Sequence, residues 1–268
     1  MTIERNMKLS LSGRLFESPK GYTLGLDEFL AFAKQTGYDG VEIRYPQLPF
    51  EAALSRLAAV KKQLTDQGLT WVFGTVEGIT DEKLFERALR TLDNNLSCGC
   101  LFTRFTITKP EQIEVAQRFA DAAAKRGAKL IMQVHSNTLP DNVPHALDTI
   151  QKINRPNVGL AYEANHLMFD GDMNYAEAVP KLAKYIFAVS VQNFKSAPPN
   201  APHSFVVNGK TYVRAIPGDP EAIDFPPVFK ALKAARFDGF VTVMTDAIPG
   251  MDSRALSKAW LEYLKRLV

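Results

Sequence analysis

Cysteine, a leader-like apolar segment and an apolar run of membrane length are what this sequence lacks, and each absence closes a class of explanation. Two of the 268 residues are cysteines, Cys98 and Cys100, in Leu-Ser-Cys-Gly-Cys-Leu. One C-x-C pair without further thiols or histidines beside it is no zinc site, and cysteines this close in sequence make a poor disulfide. Both read as small buried hydrophobes in a reducing compartment. The first six residues are polar and carry no signal-peptide core, and no uninterrupted apolar stretch is long enough to span a bilayer. The expectation is a cytoplasmic protein with no membrane partner, with Met7 as an alternative start to Met1. Charge of one sign is scarce too. The formal net charge is +3, with Lys and Arg scattered rather than clustered, which reads as a solvated surface and predicts no nucleic-acid partner. No Pro- or Ser-rich linker divides the chain, so residues 1–268 are expected to form one domain.

What is present is an ordinary globular composition, 46% hydrophobic and 23% charged, arranged as one repeated alternation. Short β-branched or aromatic runs at 7–12, 40–44, 70–75, 101–108, 128–135, 157–162, 186–193 and 239–244 predict strands. Between them, helical periodicity predicts helices at 26–37, 51–68, 81–95, 111–127, 144–153, 175–182, 225–235 and 253–268, with Gly37, Gly68 and Gly127 as stops. The stretch 196–217 breaks the rhythm. There Asn208-Gly209, flanked by residues 204–207 and 210–214, predicts a β-hairpin. Eight strands alternating with eight helices favour an α/β fold of the closed (β/α)8 kind, a TIM barrel, with that hairpin in the loop after the seventh strand. A doubly wound sheet is the runner-up, but no Gly-x-Gly-x-x-Gly follows any strand.

In such a barrel the chemistry sits at the C-terminal ends of the strands. Reading those ends gives Glu42 and Arg44, then Arg104, then Gln133, His135 and Asn137. The later strands add Glu163 and His166, then Gln192, Asn193 and Lys195, and finally Asp246. Polar groups converging from most strand ends suit a polyhydroxylated ligand, whose buried hydroxyls each need a partner. His135 and His166, at neighbouring strand ends, suit acid–base work. Glu163 fits a base, a metal ligand or a partner that orients a histidine. Glu42 and Arg44 fit either substrate binding or a structural ion pair. Arg104 fits a clamp on a carboxylate or phosphate, or a pair with a nearby acid. Gln133, Gln192, Asn193 and Asn137 are hydroxyl-binding groups, and Asp246 either supplies the acid of strand eight or lies in its loop. His145 and His203 are expected at the surface.

Four segments resemble the xylose-isomerase-like barrel superfamily, which holds sugar isomerases, ketose 3-epimerases, inosose-processing enzymes and an abasic-site nuclease type. They are Gly37-Tyr38-Asp39-Gly40-Val41-Glu42-Ile43-Arg44, Gln133-Val134-His135, Glu163-Ala164-Asn165-His166, and the approach to strand eight. The last comprises Pro217-Gly218-Asp219, Ile223-Asp224-Phe225 and Arg236-Phe237-Asp238-Gly239-Phe240. The resemblance implies one divalent cation held by acids on strands five and six, a histidine on strand seven and a glutamate on strand eight. This chain has Gln133, Glu163, Gln192 or Asn193, and Met244 there. Carboxamides and a thioether are poor ligands for a hard cation, and neither Gln133 nor Met244 carries a proton as an epimerase's paired glutamates do. Four histidines also fall short of a histidine-rich multi-metal nuclease centre. Lys195 stands where the family often has a lysine near a substrate oxyanion.

Three readings follow. The first is an isomerase, epimerase or lyase acting on a sugar, keto-sugar or sugar acid by proton transfer. Its acid–base groups are His135, Glu163 and His166, Lys195 or Arg104 steadies an enolate, and no cofactor is expected. The second is a metal-dependent epimerase or isomerase with unusual ligands around Glu163, taking Mn, Mg, Co or Zn. The third is a barrel that has lost catalysis and binds a carbohydrate or a partner protein. The partner expected is a small carbohydrate, and the projecting Asn208-Gly209 hairpin is a candidate contact for a homo-oligomer.

Overall fold

The β-branched and aromatic runs fold as short parallel strands, and the amphipathic segments between them pack outside as helices. The computed structural model describes residues 7–268, so Met1 lies outside the described residues. The barrel strands are β1 (Lys8–Ser12), β2 (Gly40–Glu42), β3 (Thr70–Thr75), β4 (Phe102–Arg104), β5 (Lys129–Gln133), β6 (Val158–Tyr162), β7 (Ile186–Val191) and β8 (Phe240–Val243). Each pairs in parallel with its neighbours in sequence, and β8 returns to β1 with Val241 opposite Leu9. The sheet therefore closes and leaves no edge to protect.

The helices are α1 (Leu26–Thr36), α2 (Leu54–Gln67), α3 (Glu82–Ser97), α4 (Ile113–Ala124), α5 (Val143–Ile153), α6 (Ala164–Asp170), α7 (Tyr175–Leu182), α8 (Phe225–Ala234) and α9 (Ser253–Lys265). Their buried stripes, among them Phe29, Leu57, Phe119, Ile150, Phe229 and Trp260, meet the outward faces of the strands in one apolar layer. At the ends of α1 and α2, Gly37 and Gly68 take φ of 101° and 61°, the left-handed caps that glycine adopts without a Cβ penalty. Among the described residues, no helix is long and apolar enough to cross a membrane.

A second apolar cluster fills the barrel itself: Val72, Phe73, Ile131, Ala161, Ala188, Phe240 and Met244, with Phe102 and Phe187 against it. The floor is tight enough that a Cβ at Gly159 would run into the Phe187 ring. Towards the C-terminal ends of the strands the filling changes from apolar to polar. Ser12, Glu42, Arg104, Gln133 and Glu163 take over there, and that change of lining positions the site.

Several strands stop earlier than their apolar runs. β4 ends at Arg104 rather than 108, because past Phe105 the chain turns outward and the amides of Thr108 and Lys109 donate to Gln112 Oε1. β5 ends at Gln133, since His135 N–H donates to Pro140 O instead of the ladder. The segment after Glu163 is no strand end but the short helix α6, which ends at Gly171 in the left-handed region. Other small elements were not expected: 3-10 turns at Gly13–Phe16 and Ala183–Tyr185, and a two-stranded ribbon of Glu17–Ser18 with Gly21–Tyr22.

Beyond β7, Phe194–Ser196, Lys210–Arg214 and Phe205–Val207 form a three-stranded antiparallel sheet. Asn208 and Gly209 turn it with φ of 49° and 75°. The sheet packs on α6 of its own chain. Phe169 meets Phe194, Phe205 and Tyr212 at centroid distances of 5.1, 5.9 and 4.9 Å, and Asn208 Nδ2 donates to Phe169 O at 3.0 Å.

Candidate active site

Gln133 is the last residue of β5, and its carboxamide is oriented by what faces it. Arg104, from the end of β4, donates Nη1–H to Gln133 Oε1 at 2.7 Å. A guanidinium has only donors, so the carboxamide oxygen must point at it. The amide nitrogen then faces inward, where it donates to Glu163 Oε1 and lies 3.4 Å from Met244 Sδ. Arg104 Nε donates to Thr75 Oγ1 at 3.3 Å.

Glu163 precedes the first turn of α6 and is fully buried. His166, three residues on, lies on the same face of the turn, and its Nε2 comes within 3.2 Å of Glu163 Oε2. That contact lies off the axis of a linear hydrogen bond, so both atoms count as unbonded by strict geometry; its value is chiefly electrostatic. At the other ring edge, Ser136 N–H donates to His166 Nδ1 at 3.3 Å. Nδ1 is therefore an acceptor, and the proton sits on Nε2, facing the carboxylate. Burial pushes the Glu163 carboxyl up, but His166, His135 and Arg104 outweigh it and hold the group below the usual carboxylate range. Glu163 is an anion at neutral pH.

His135 lies in the turn after β5, half-buried, with its ring 3.7 Å from that of His166, centroid to centroid. Its Nδ1 is 2.6 Å from Ser136 O. A carbonyl only accepts, so Nδ1 carries the proton and Nε2 keeps a free lone pair. Burial and the neighbouring His166 both push its pKa down, so the ring is neutral at pH 7. A cavity of about 220 Å³ opens here, lined by Arg104, Gln133, His135 and Thr138, with Phe105 and Ile107 as apolar wall. A larger one of about 410 Å³ lies between Asn154, Arg155 and Tyr185. It sits at the N-terminal ends of β6 and β7, the end of a barrel that carries stability rather than chemistry.

The remaining expected residues divide. Glu42 is buried, accepts from Ser12 Oγ, and lies 3.5 Å from Arg44 Nη1. Arg44 Nε donates to Glu17 Oε1 at 3.1 Å. Burial pulls the Arg44 guanidinium down, but Glu42 and Glu17 hold it above its ordinary value. Asp246 is bridged by Arg14 Nε at 2.7 Å and Arg214 Nη2 at 2.6 Å; burial raises its carboxyl, and the two arginines outweigh that. It lies in the loop beyond β8, the second of the two placements the sequence allowed. Asn193 spends its carboxamide on main chain: Oδ1 accepts from Phe194 N and Ile223 N at 3.2 and 3.0 Å, and Nδ2 donates to Ile216 O at 2.9 Å. Gln192 is buried, and its Oε1 has no partner among the described residues. Lys195 Nζ binds Glu221 Oε2 at 2.8 Å and Asp219 Oδ2 at 3.1 Å, and those acids hold its ammonium above the usual lysine range. Asn137 is exposed at the tip of the His135 turn, with φ of 65°. Sequence reading missed Ser136, Thr75, Arg14 and Arg214; only Ser136, between His135 and Asn137, carried a local signal.

A divalent cation at the four strand-end positions needs oxygen or nitrogen lone pairs, commonly six or more of them for the hard ions. Here Gln133 turns N–H groups towards Glu163 and gives its oxygen to Arg104. Met244 offers a thioether, and of the two strand-seven carboxamides Asn193 is spent, which leaves Gln192 Oε1 as one neutral oxygen. Among the described residues, no three His, Cys, Asp or Glu side chains are placed to share an ion. The donor set does not fit the cation.

A family model for the xylose isomerase-like TIM barrel matches residues 30–267. An inosose dehydratase of Geobacillus thermodenitrificans is 27% identical over 143 residues, 52% of this chain and 47% of that enzyme. The matched stretch thus spans about half the length of the curated relative. The crystal structure of a D-allulose 3-epimerase from Methylomonas sp. superposes with TM-score 0.74 at 18% identity, covering 100% of both chains. A 3-keto-D-glucoside 4-epimerase from E. coli gives TM-score 0.70 at 17% identity, covering 97% of this chain and 100% of the other.

Proposed function

Since the chain belongs to the xylose isomerase-like TIM barrel family, and the polar ends of β4 and β5 line a small cavity, we propose that it is a carbohydrate-acting enzyme that transfers a proton at a carbon beside a carbonyl. The reaction is an isomerisation, an epimerisation or a dehydration, and the substrate is a sugar, keto-sugar or sugar acid. No metal takes part in the proton transfer. The observation that carries this reading is His135: a neutral imidazole whose Nδ1–H is committed to Ser136 O, leaving Nε2 with a free lone pair on a side chain that lines the same cavity as Arg104.

His135 Nε2 takes the proton, and the C–H bonding pair moves onto the carbonyl oxygen as an enolate. The Arg104 guanidinium favours that negative charge as it develops. The imidazolium so formed at His135 is stabilised by the Glu163 anion, which acts through space across His166. Return of the proton to the neighbouring carbon completes an isomerisation, and its return to the same carbon from the other face an epimerisation; in a dehydration the imidazolium gives the proton to the departing β-hydroxyl, which leaves as water. His166 is a positioning residue here, because Ser136 N–H donates to its Nδ1 and its Nε2 faces the Glu163 carboxylate. Lys195, held protonated by two acids, takes no nucleophilic part, and Asn193 and Asp246 hold the loops of the mouth.

The reading is tested by screening keto-sugars and sugar acids with protein dialysed against chelator, comparing wild type with His135→Gln and with His145→Gln as an exposed control. The expected result is turnover that survives the chelator, falls about a hundredfold or more in His135→Gln, and is unchanged in His145→Gln. Turnover that appears only on adding manganese, zinc, cobalt or magnesium would return the enzyme to metal chemistry. Ligand binding that persists with no turnover by any variant would make it a binding protein.

A further inference from the structure

We propose that the ligand of this cavity carries a carboxylate, so that sugar acids or keto-sugar acids are preferred over neutral ketoses, and that Arg104 is the anchor for it. The proposal rests on the reading above only in taking the cavity as the substrate site; it does not depend on His135 being the base.

Most arginines of the barrel mouth are matched by acids. Arg14 and Arg214 share Asp246, and Arg44 sits against Glu17 and Glu42. Arg104 differs. Its hydrogen bonds go to Thr75 Oγ1 and Gln133 Oε1, both neutral acceptors, its guanidinium carbon lies 5.8 Å from the centre of the Phe73 ring, and among the described residues no carboxylate oxygen comes within ion-pair distance of it. Nη2 donates to none of the described residues, nor does the second hydrogen of Nη1. A half-buried guanidinium without a contacting anion is costly, and burial does pull the charged form of Arg104 down. Glu42 and Glu163 act on it only through space, and Arg44 and Arg14 oppose them.

The unspent N–H groups belong to a side chain that lines the cavity together with His135 and Thr138. A planar pair of donors matches the two oxygens of a carboxylate. The room available, about 220 Å³, is below that of drug-sized pockets, roughly 300–1,000 Å³, and suits a ligand the size of one monosaccharide. The Thr75 and Gln133 bonds fix the guanidinium plane before any ligand arrives, so little rotamer freedom is lost on binding. A carboxylate there supplies the missing counter-charge, which a neutral sugar cannot do.

The test is isothermal titration calorimetry with D-gluconate, 2-keto-D-gluconate, D-fructose and D-fructose 6-phosphate. It uses wild type and His135→Gln, the second so that nothing is turned over. At least one acid is expected to bind tenfold or more tightly than D-fructose in both proteins, to weaken tenfold or more in Arg104→Met, and to recover in part in Arg104→Lys. Wild-type affinity for that acid is expected to fall as sodium chloride is raised, which tests the idea even if Arg104→Met fails to fold. Binding of D-fructose as tight as that of the acids, an acid preference that survives in Arg104→Met, or no binding by either acid would overturn the proposal. A preference for D-fructose 6-phosphate over both acids would overturn the carboxylate and assign the anchor to phosphate. Acid binding without turnover leaves this inference standing and removes the proton-transfer reading; turnover of a neutral ketose does the reverse.

Discussion

Glu163→Gln exchanges one oxygen for an NH2 group at a fully buried position, and the local hydrogen bonding gives that group nowhere to go. One carboxylate oxygen accepts from Gln133 Nε2, which Arg104 locks in place; the other faces the protonated Nε2 of His166, a tautomer set by Ser136 N–H. Whichever end of the new carboxamide carries the NH2, it meets a donor. Flipping Gln133 would point NH2 at the Arg104 guanidinium, and switching the His166 tautomer would point N–H at Ser136 N–H. The expected cost combines a lost charge-assisted hydrogen bond, about 1.5–3 kcal/mol, with a buried donor left unsatisfied, about 1–3 kcal/mol. Because these overlap, a total of about 3–5 kcal/mol is expected, the range for breaking a buried pair. For a chain of this size that corresponds to a drop in Tm of roughly 10 °C. Urea unfolding at pH 7.5, followed by far-ultraviolet circular dichroism, measures it. A loss below about 1 kcal/mol would mean that Gln133 or His166 reorients freely, and the assigned tautomers would be wrong.

Two further outcomes follow from the same geometry. His135 is depressed from its ordinary 6.5 and Glu163 from its ordinary 4.5, so in both cases the unfolded chain binds protons first as pH falls. Stability is then complete above pH 6.5, declines below it as His135 begins to cost, and declines again below 4.5. Urea midpoints from pH 8 to 4 should show the upper step in wild type and lose it in His135→Gln, and the acid limb of kcat/KM should lie below pH 6.5. Asn193→Ala removes three hydrogen bonds that tie the β7 end to residues 194, 216 and 223. A loss of about 3 kcal/mol is expected, and a change under about 0.5 kcal/mol in the same unfolding assay would show that the main chain there finds other partners.

Much of this fold is legible in the sequence because it rests on periodicity. The strand runs and the glycine stops at Gly37 and Gly68 lie within a few residues of the observed elements, and the C-terminal strand ends do carry Arg104, Gln133 and Glu163. What a linear reading misses is contact between residues far apart. Arg14 and Arg214 reach Asp246 across 232 and 32 positions, with no local mark of it. The role of Asn193 was hidden because its partners are backbone groups, and that of Lys195 because its acids lie in a loop of irregular structure. His166 read as a strand-end residue, yet it faces Glu163 because α6 begins at once after β6 and sets the two residues one turn apart. The orientation of the Gln133 amide, on which the misfit of a cation depends, is set by Arg104 and Glu163, at the ends of the neighbouring strands on either side.

The central claim is proton transfer at His135 without a metal, and hydrogen–deuterium exchange tests it most directly. Chelator-dialysed protein in D2O is incubated with 2-keto-D-gluconate and a panel of ketoses and sugar acids, and the carbon beside each carbonyl is followed by proton NMR. The account predicts loss of that C–H signal with at least one substrate in wild type and none above background in His135→Gln. Exchange that needs added divalent metal, or that proceeds unchanged in His135→Gln, would contradict it.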